Sequence, residues 1–299
     1  ALASGNVVGV AGTSPGTGAT AQAALAIYGN AAALLDSNAC PRDTRRAVVF
    51  DEYAQAATVP ALAGLLSPTN DIADQYRNGQ IGRALGFKFG MSQNTAAFTT
   101  GAFGGTPQVA TQPTPQSGPS GTTLSTSTGT FAVATKGWTS SAVIGNAGDV
   151  VYFATCYLVN PVGKQQKKGL KGFVLAQTAT ADGSGLCTLQ LTEPMITTGA
   201  WQNVSNVPAV NAAITFAGPA STVSTQNLAF HQDAITLACV DLPLPAGVHM
   251  AARKSDSQLN ISMRFIAAYN ISTDQFIGRF DVLCGWAVLR PEWVTRILG

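Results

Sequence analysis

Between residues 259 and 289 apolar and polar side chains alternate, and no other stretch narrows the folding options of this chain as far. Ile261, Met263, Phe265, Ala267 and Tyr269 fall on one face of an extended run, with Asn260, Ser262 and Arg264 on the other, the period of two that a half-buried strand requires. A loop is expected over residues 270–278, after which Phe280, Val282, Cys284, Trp286 and Val288 repeat the pattern. The two runs predict one long antiparallel pair. Pro291 ends it. Proline suits the first position of a helix and Glu292 its positive end, so residues 291–298 read as a short terminal helix.

The front of the chain is helical and glycine-punctuated. After a short apolar run and a loop over residues 12–18, Leu25, Tyr28, Ala32 and Leu35 share one face of a predicted helix over about residues 20–35. Gly16-Thr17-Gly18-Ala19-Thr20-Ala21 fits a loose G-x-G-x-x-A, and Asp36 follows twenty residues after Gly16, so a nucleotide site must be weighed. The phosphate-loop form is excluded, because Ala19 occupies the lysine position. A dinucleotide site wants its acidic residue at the end of a second strand, whereas Asp36 comes directly off the helix. The glycines therefore read as a connector. Arg42, Arg45 and Arg46 precede a strand at residues 47–50, and they could hold phosphate or pair with carboxylates at a surface or subunit contact. Asp51 is placed to cap a helix beginning at Glu52, and Pro60 and Gly64 are expected to break the pattern around residues 61–66. Gly79, Gly82, Gly86 and Gly90 suggest close backbone approach in a twisted region.

Residues 101–130 are dominated by Gly, Pro, Ser, Thr and Gln, and no charged residue occurs between Lys88 and Lys136. Such a stretch reads as a linker or long extended loop at a domain boundary. Beyond it, residues 149–157, 170–177, 186–191 and 213–216 form short strands punctuated by turns, the pattern of a small barrel or sandwich. Lys164, Lys167, Lys168 and Lys171 are expected in the turn between the first two, where they would bind a polyanion or meet a neighbour's carboxylates. After Pro219 the composition returns to that of the start. The simplest organisation is one main domain interrupted by a β-rich insertion: 1–110, then 111–220, then 221–299.

Composition narrows the function. With 46% hydrophobic and 11% charged residues among 299, the chain has few charges to solvate its exterior, as expected of a surface covered by other chains. The net charge of +2 argues against sequence-reading of nucleic acid. No apolar run is long enough for a membrane helix and no signal peptide is evident, so synthesis in a cytoplasm is expected. Cys40, Cys156, Cys187, Cys239 and Cys284 include no Cys-x-x-Cys pair, which points to free buried thiols and not to zinc. His231 and His249 lie outside any catalytic motif, and no metal-binding spacing occurs. Neither a catalytic residue, a cofactor site nor a metal site emerges.

Several motifs nevertheless resemble one family. Residues 229–234 (AFHQDA), 242–245 (LPLP), 279–286 (RFDVLCGW) and 290–292 (RPE) are similar to the C-terminal part of tailed-bacteriophage major coat proteins. They are closest to the short-tailed Salmonella phage type, which has the Hong Kong phage capsid fold with an inserted β-barrel. Residues 41–49, 79–87 with 92–94, 149–153, 203–204 and 212–214 continue the likeness in order along the chain. Against that pattern the N-terminal arm, the extended loop and the front of the spine helix are missing, which fits the abrupt start at Ala1. Cys284 stands where an aromatic residue is expected.

The resemblance implies an α+β fold with spine helix, long antiparallel strands and axial domain, and a barrel inserted into it. It implies a structural subunit, not an enzyme, that assembles with itself in pentamers and hexamers into an icosahedral virion shell around double-stranded DNA. Scaffolding and portal proteins would be further partners, the host cytoplasm the place of assembly, and no membrane would be involved. The hairpin and the helix over residues 20–35 would form the spine. The inter-subunit contacts would fall on Arg42, Arg45, Arg46, Arg83, Lys164, Lys167, Lys168, Lys171, Arg279 and Asp281. Three other readings compete: a nucleotide-binding enzyme using Gly16 to Gly18, a non-viral encapsulating shell, which would lack the insertion at residues 136–219, and a secreted β-rich adhesin, for which a signal sequence and paired cysteines would be expected.

Overall fold

The computed structural model describes residues 2–18, 21–63, 82–116 and 130–299. The first half runs β1 (Val7–Gly9), α1 (Ala21–Ser37), β2 (Arg46–Phe50), α2 (Glu52–Ala63), β3 (Arg83–Ala84), β4 (Phe87–Met91), β5 (Ala97–Thr99) and β6 (Gly105–Val109). Then come β7 (Phe131–Trp138), β8 (Val143–Gly145), β9 (Val150–Val159), β10 (Gln166–Val174), β11 (Ala179–Thr180), β12 (Cys187–Leu191) and β13 (Ile214–Phe216). The chain ends with β14 (Val223–His231), β15 (Ile235–Val240), β16 (Met250–Asp256), β17 (Ile261–Asn270), β18 (Gln275–Asp281), β19 (Leu283–Val288) and β20 (Val294–Leu298). Two compact units result, one of residues 1–232 with 291–299 and one of residues 233–290.

The larger unit is built on a sheet of order β1-β20-β14-β2-β4-β3, with β5 also on β14. Its heart is the C-terminal strand. The helix expected over residues 291–298 is not formed: Pro291–Trp293 makes one 3-10 turn and β20 follows, all five of its residues buried. Val294, Thr295 and Ile297 are β-branched, and they favour the extended chain once both strand edges find partners. Those partners are β1, parallel, and β14, antiparallel.

Helix α1 covers this sheet. Leu25, Tyr28, Ala31 and Leu35 are buried with Val48, Phe50, Phe87, Phe89 and Ile297, close to the predicted face, although Ala31 is buried more deeply than Ala32. Thr20 lies outside the described residues. Asp51 caps α2 as expected, its Oδ1 accepting from the Ala54 amide at 2.9 Å. Pro60 does not end α2, which continues to Ala63; proline there costs the single amide bond to Ala56. Gly64 and residues 65–66 lie outside the described residues, as do Gly79 and residues 71–81.

Residues 105–116 and 130–217 of the same unit form a strand-rich body with its own core. Three ladders, β6-β7-β12, β10-β9-β13 and β8-β11, enclose Phe131, Val133, Phe153, Phe173, Leu189 and Met195. The four predicted strands are present as β9, β10, β12 and β13. The linker reading fails at residues 105–109, which pair with β7 as β6 and bury Val109 completely; residues 117–129 lie outside the described residues. The body is held to the main sheet by close backbone approach. A Cβ on Gly5 would lie 2.1 Å from the Gly172 carbonyl oxygen, and the converse holds for Gly172.

Arg296 makes the second tie. Nearly inaccessible to water, its guanidinium donates from Nε and Nη2 to Gln226 Oε1 at 2.9 and 2.7 Å and from Nη1 to the Gly148 carbonyl at 2.7 Å. It also lies over the Phe98 ring, 5.5 Å from its centroid. Burial pulls the guanidinium down to about 10, while the charge of Asp149 pushes it back up.

The smaller unit, residues 233–290, departs most from expectation. Residues 279–289 do not form one strand: the run breaks at Val282, so β18 pairs with β17 while β19 leaves to pair with β15. The turn is also shorter than the predicted loop, occupying residues 271–274 with Asp274 at a φ of 51°. β16 completes the three-stranded sheet β16-β17-β18.

Replacing Arg296 by alanine is expected to cost roughly 3 kcal/mol, because Gln226 Oε1 and the Gly148 carbonyl would be left buried and unpaired. Urea titration measures it, and a loss under about 1 kcal/mol would show that the network does not hold the two parts together.

Candidate assembly surface

Among the described residues, large exposed apolar side chains gather in the smaller unit. Trp286 is 86% exposed, Phe280 70% and Phe276 66%. Register explains the grouping. Phe265 stands opposite Phe280 and Tyr269 opposite Phe276, so their rings share one face of β17-β18 with centroids 4.9 and 5.2 Å apart. Gly278, opposite Ala267, leaves room for the Phe265 ring, which a Cβ there would meet at 3.3 Å. His249 adds an edge-on contact to Phe276 at 5.3 Å. A contiguous apolar face of this kind on a folded protein marks an interaction surface.

The opposite face of the same sheet is ionic. Arg264 and Asp281 are paired in register, with Nη2 donating to Oδ2 at 2.6 Å, and Arg279 Nε reaches Asp281 Oδ1 at 2.8 Å. The hydrogen bond from Arg264, joined by that from Arg279, holds the Asp281 carboxyl below the usual carboxylate range. Arg279 remains largely exposed, its second edge available to a neighbouring group.

The arginines at the end of α1 form a second cluster. Arg42 Nε donates to Asp36 Oδ2 at 2.9 Å and Arg46 Nη2 to Asp36 Oδ1 at 2.8 Å. Burial alone would raise the Asp36 carboxyl, but the hydrogen bonds from Arg42 and Arg46 outweigh it and hold the group low. Arg46 itself is buried, donating also to the carbonyls of Cys40 at 2.6 Å and Pro41 at 2.8 Å. Arg45 pairs with Asp43, which takes a second partner in the buried His231, 3.1 Å away. The Arg45 amide, with the Arg45 and His231 side chains, holds Asp43 far below the ordinary range. His231 packs edge-on against Trp293, the structural role its sequence context suggested.

The four lysines do not share a turn. Lys164 alone lies in the turn after β9, where its Nζ donates to the Ala200 carbonyl. Lys167, Lys168 and Lys171 lie in β10 because that strand begins earlier than predicted, at Gln166. Lys171 points inward and meets Glu193 at 2.9 Å, Lys167 is half-buried and Lys168 is exposed. Beside the Lys164 turn, Val162 and Trp201 are 79% and 64% exposed. Arg83 is exposed on the short edge strand β3.

The glycine loop has a packing explanation. Gly16, at a φ of 90°, lies against α2, and a Cβ there would fall 2.3 Å from Thr58 Oγ1. A pocket of about 280 Å³ beside the loop is lined by residues such as Thr13, Thr17, Ala26 and Asn30, none of them charged. Asp36 commits both its carboxylate oxygens to arginines. Among the described residues no group of three or more His, Cys, Asp or Glu converges on a metal position, and no helix is long and apolar enough to cross a membrane.

An aromatic sheet face, ion pairs at exposed edges and a glycine loop spent on packing describe a subunit made to contact other chains. Residues 3–298 match the family model described as P22 coat protein, gene protein 5, and the chain belongs to that family. It is a structural major capsid protein of a phage, a component of the virion that self-assembles into a capsid. Among solved structures, the CUS-3 coat protein I-domain is 19% identical, covering 37% of this chain and 94% of its own, with a TM-score of 0.26. No curated protein matches the chain.

Asp36, Asp43 and Asp281 are all held below their ordinary range. Each therefore contributes stability that is fully present above about pH 4, the unfolded carboxylate value, and lost as the pH falls through the lower folded value. The thermal midpoint is expected to be flat between about pH 7 and pH 5 and to fall below about pH 4, with a shallower fall in Asp36→Asn. Parent and variant profiles of equal steepness would show that the Asp36 pairs carry no linkage.

Proposed function

We propose that this coat protein is the shell subunit of an icosahedral capsid with the Hong Kong phage fold, enclosing double-stranded DNA that it does not read. The strand-rich body after residue 105 is proposed to be the inserted β-barrel. The organisation 1–110, 111–220 and 221–299 corresponds on this reading to capsid core, insertion and remainder of the core. Subunits meet in pentamers and hexamers, with scaffolding and portal proteins joining during assembly in the host cytoplasm, and the chain performs no reaction.

The aromatic face of β17-β18 is the observation that carries this reading. Phe276 and Phe280 are two-thirds or more exposed in the single subunit, and burying each would contribute roughly 1.5–3 kcal/mol. Heterologous contacts repeated around rings generate closed shells. A standard interface buries on the order of 1,600 Å², and several modest contacts per subunit hold a shell through multivalency. Arg42, Arg45, Arg83 and Lys168 on the larger unit and Arg279 on the smaller are exposed cations that would add polar contacts to neighbouring copies. Arg46, Lys171 and Asp281 act within the subunit, supporting those contacts through Asp36, Glu193 and Arg279.

Electron microscopy of the purified protein tests the proposal, with Phe276→Ser/Phe280→Ser as the discriminating variant. The parent is expected to form rings or shells. The variant should keep its unfolding free energy within about 1 kcal/mol, since both side chains face solvent in the subunit, yet remain unassembled. A variant that builds particles as readily as the parent would contradict the assigned surface.

A further inference from the structure

The five cysteines divide sharply by position. Cys40, Cys156 and Cys187 are buried, and burial pushes each thiol up, that of Cys156 to about 12. Such thiols stay protonated and inert. The other two lie in the smaller unit, where Cys284 is exposed and Cys239 half-buried, contrary to the expectation that all five would be buried.

These two face one another. In the antiparallel register of β15 and β19, Cys239 is the direct partner of Cys284. The kind of pair follows from the neighbouring bonds. The Leu289 amide donates to the Ala234 carbonyl at 2.9 Å, which makes Ala234 and Leu289 a hydrogen-bonded pair. Antiparallel ladders alternate. Thr236/Ala287 and Ala238/Gly285 are therefore hydrogen-bonded pairs, and Cys239/Cys284 is of the non-hydrogen-bonded kind. Partners of that kind have Cα atoms about 4.5 Å apart and side chains on one face. A disulfide accepts Cα separations of roughly 4.4–6.8 Å, so no backbone movement is needed to form one. The Cys239 sulfur is already held in place, accepting from the Ser262 amide at 3.2 Å.

We propose that Cys239 and Cys284 are a redox-closable pair, a dithiol in reducing surroundings and an intrachain cross-strand disulfide in oxidising ones. The timing rests on the reading above: a coat protein made in a reducing cytoplasm meets an oxidising medium when the particle leaves the cell. The oxidant is a small-molecule disulfide such as oxidised glutathione. The exposed Cys284 gives up its proton and attacks one sulfur of that disulfide, whose S–S bond breaks; the departing thiolate takes the proton. Cys239 then loses its proton and attacks the Cys284 sulfur of the mixed disulfide, expelling the second small thiolate, which takes that proton. Two protein thiols are oxidised and one small disulfide is reduced to two thiols. The closed bond clamps β15 to β19 beside the exposed Trp286 and Leu237, which are themselves register partners.

Reduced protein is treated with oxidised glutathione, its remaining thiols are alkylated after unfolding, and its peptides are mapped by mass spectrometry. One cross-link joining the Cys239 and Cys284 peptides is expected, with loss of two hydrogens and alkylation of the other three cysteines. Hydrogen exchange in β15 and β19 should slow at least about tenfold on oxidation. In Cys239→Ser the cross-link should vanish and Cys284 should retain glutathione. Stable glutathionylation of Cys284 in the parent, a disulfide between copies, or a bond involving Cys40, Cys156 or Cys187 would overturn the proposal. The assay is run on the free subunit, so a missing cross-link refutes the thiol chemistry and leaves the coat role standing. A subunit that cross-links but forms no particles removes the assembly reading and keeps the chemistry.

Discussion

One guanidinium joins the two cores of the larger unit. Arg296 enters from β20, bonds Gln226 on β14 and reaches the carbonyl of Gly148, just before β9 of the strand-rich body. Its acceptors are neutral, with Asp149 supplying only nearby charge. A buried cation is costly unless its donors are satisfied, and here the fork-shaped donor set meets two fixed oxygens. The same strand receives the N-terminal segment, since Asn6 Nδ2 donates to the Val294 carbonyl at 3.1 Å and the Arg296 amide to the Asn6 carbonyl at 2.8 Å. Chain ends, main sheet and strand-rich body are thus fastened at β20.

The larger unit encloses two apolar cores and exposes scattered residues such as Val162 and Trp201, whereas among the described residues the smaller encloses none. In the first, phenylalanines 50, 87, 131, 153 and 173 are all buried. In the second, Phe276 and Phe280 lie open on the β17-β18 pair, which is complete in register, and Trp286 lies open on β19, which pairs with β15. Backbone pairing, the Arg264–Asp281 bond and cross-strand ring contacts join β17 and β18, while the outer side of the aromatic face stays exposed. This division suits a capsid subunit, whose fold must exist before its neighbours arrive and whose surface must gain from their arrival.

Alternation made most of the strands legible, and the Asp51 cap and the α1 face were readable from spacing. Partners were less so. Residues 279–289 alternate without interruption, yet the strand changes partner at Val282, because period two specifies a face and not the neighbour beside it. Pro291 and Glu292 point to a helix, but their influence ends after one 3-10 turn, and Val294, Thr295 and Ile297 carry the opposing signal that β20 follows. β6 was hidden by its Gly, Thr and Pro content, and Lys171 by an early start to β10. The aromatic face was written in the sequence as a strand pattern. Its exposure was not, since periodicity is the same whether the apolar side meets a core, another subunit or water. For the same reason the opposition of Cys239 and Cys284 appears only once β15 and β19 are paired.

The central claim is that the open face of β17-β18 is covered by other copies. Hydrogen exchange followed by mass spectrometry, comparing free subunits with assembled particles, measures this most directly. Amides of residues 261–281 are expected to exchange at least about tenfold more slowly in particles than in subunits, while those of β14 and β20, already buried, change little. Equal exchange of residues 261–281 in the two states would contradict the account.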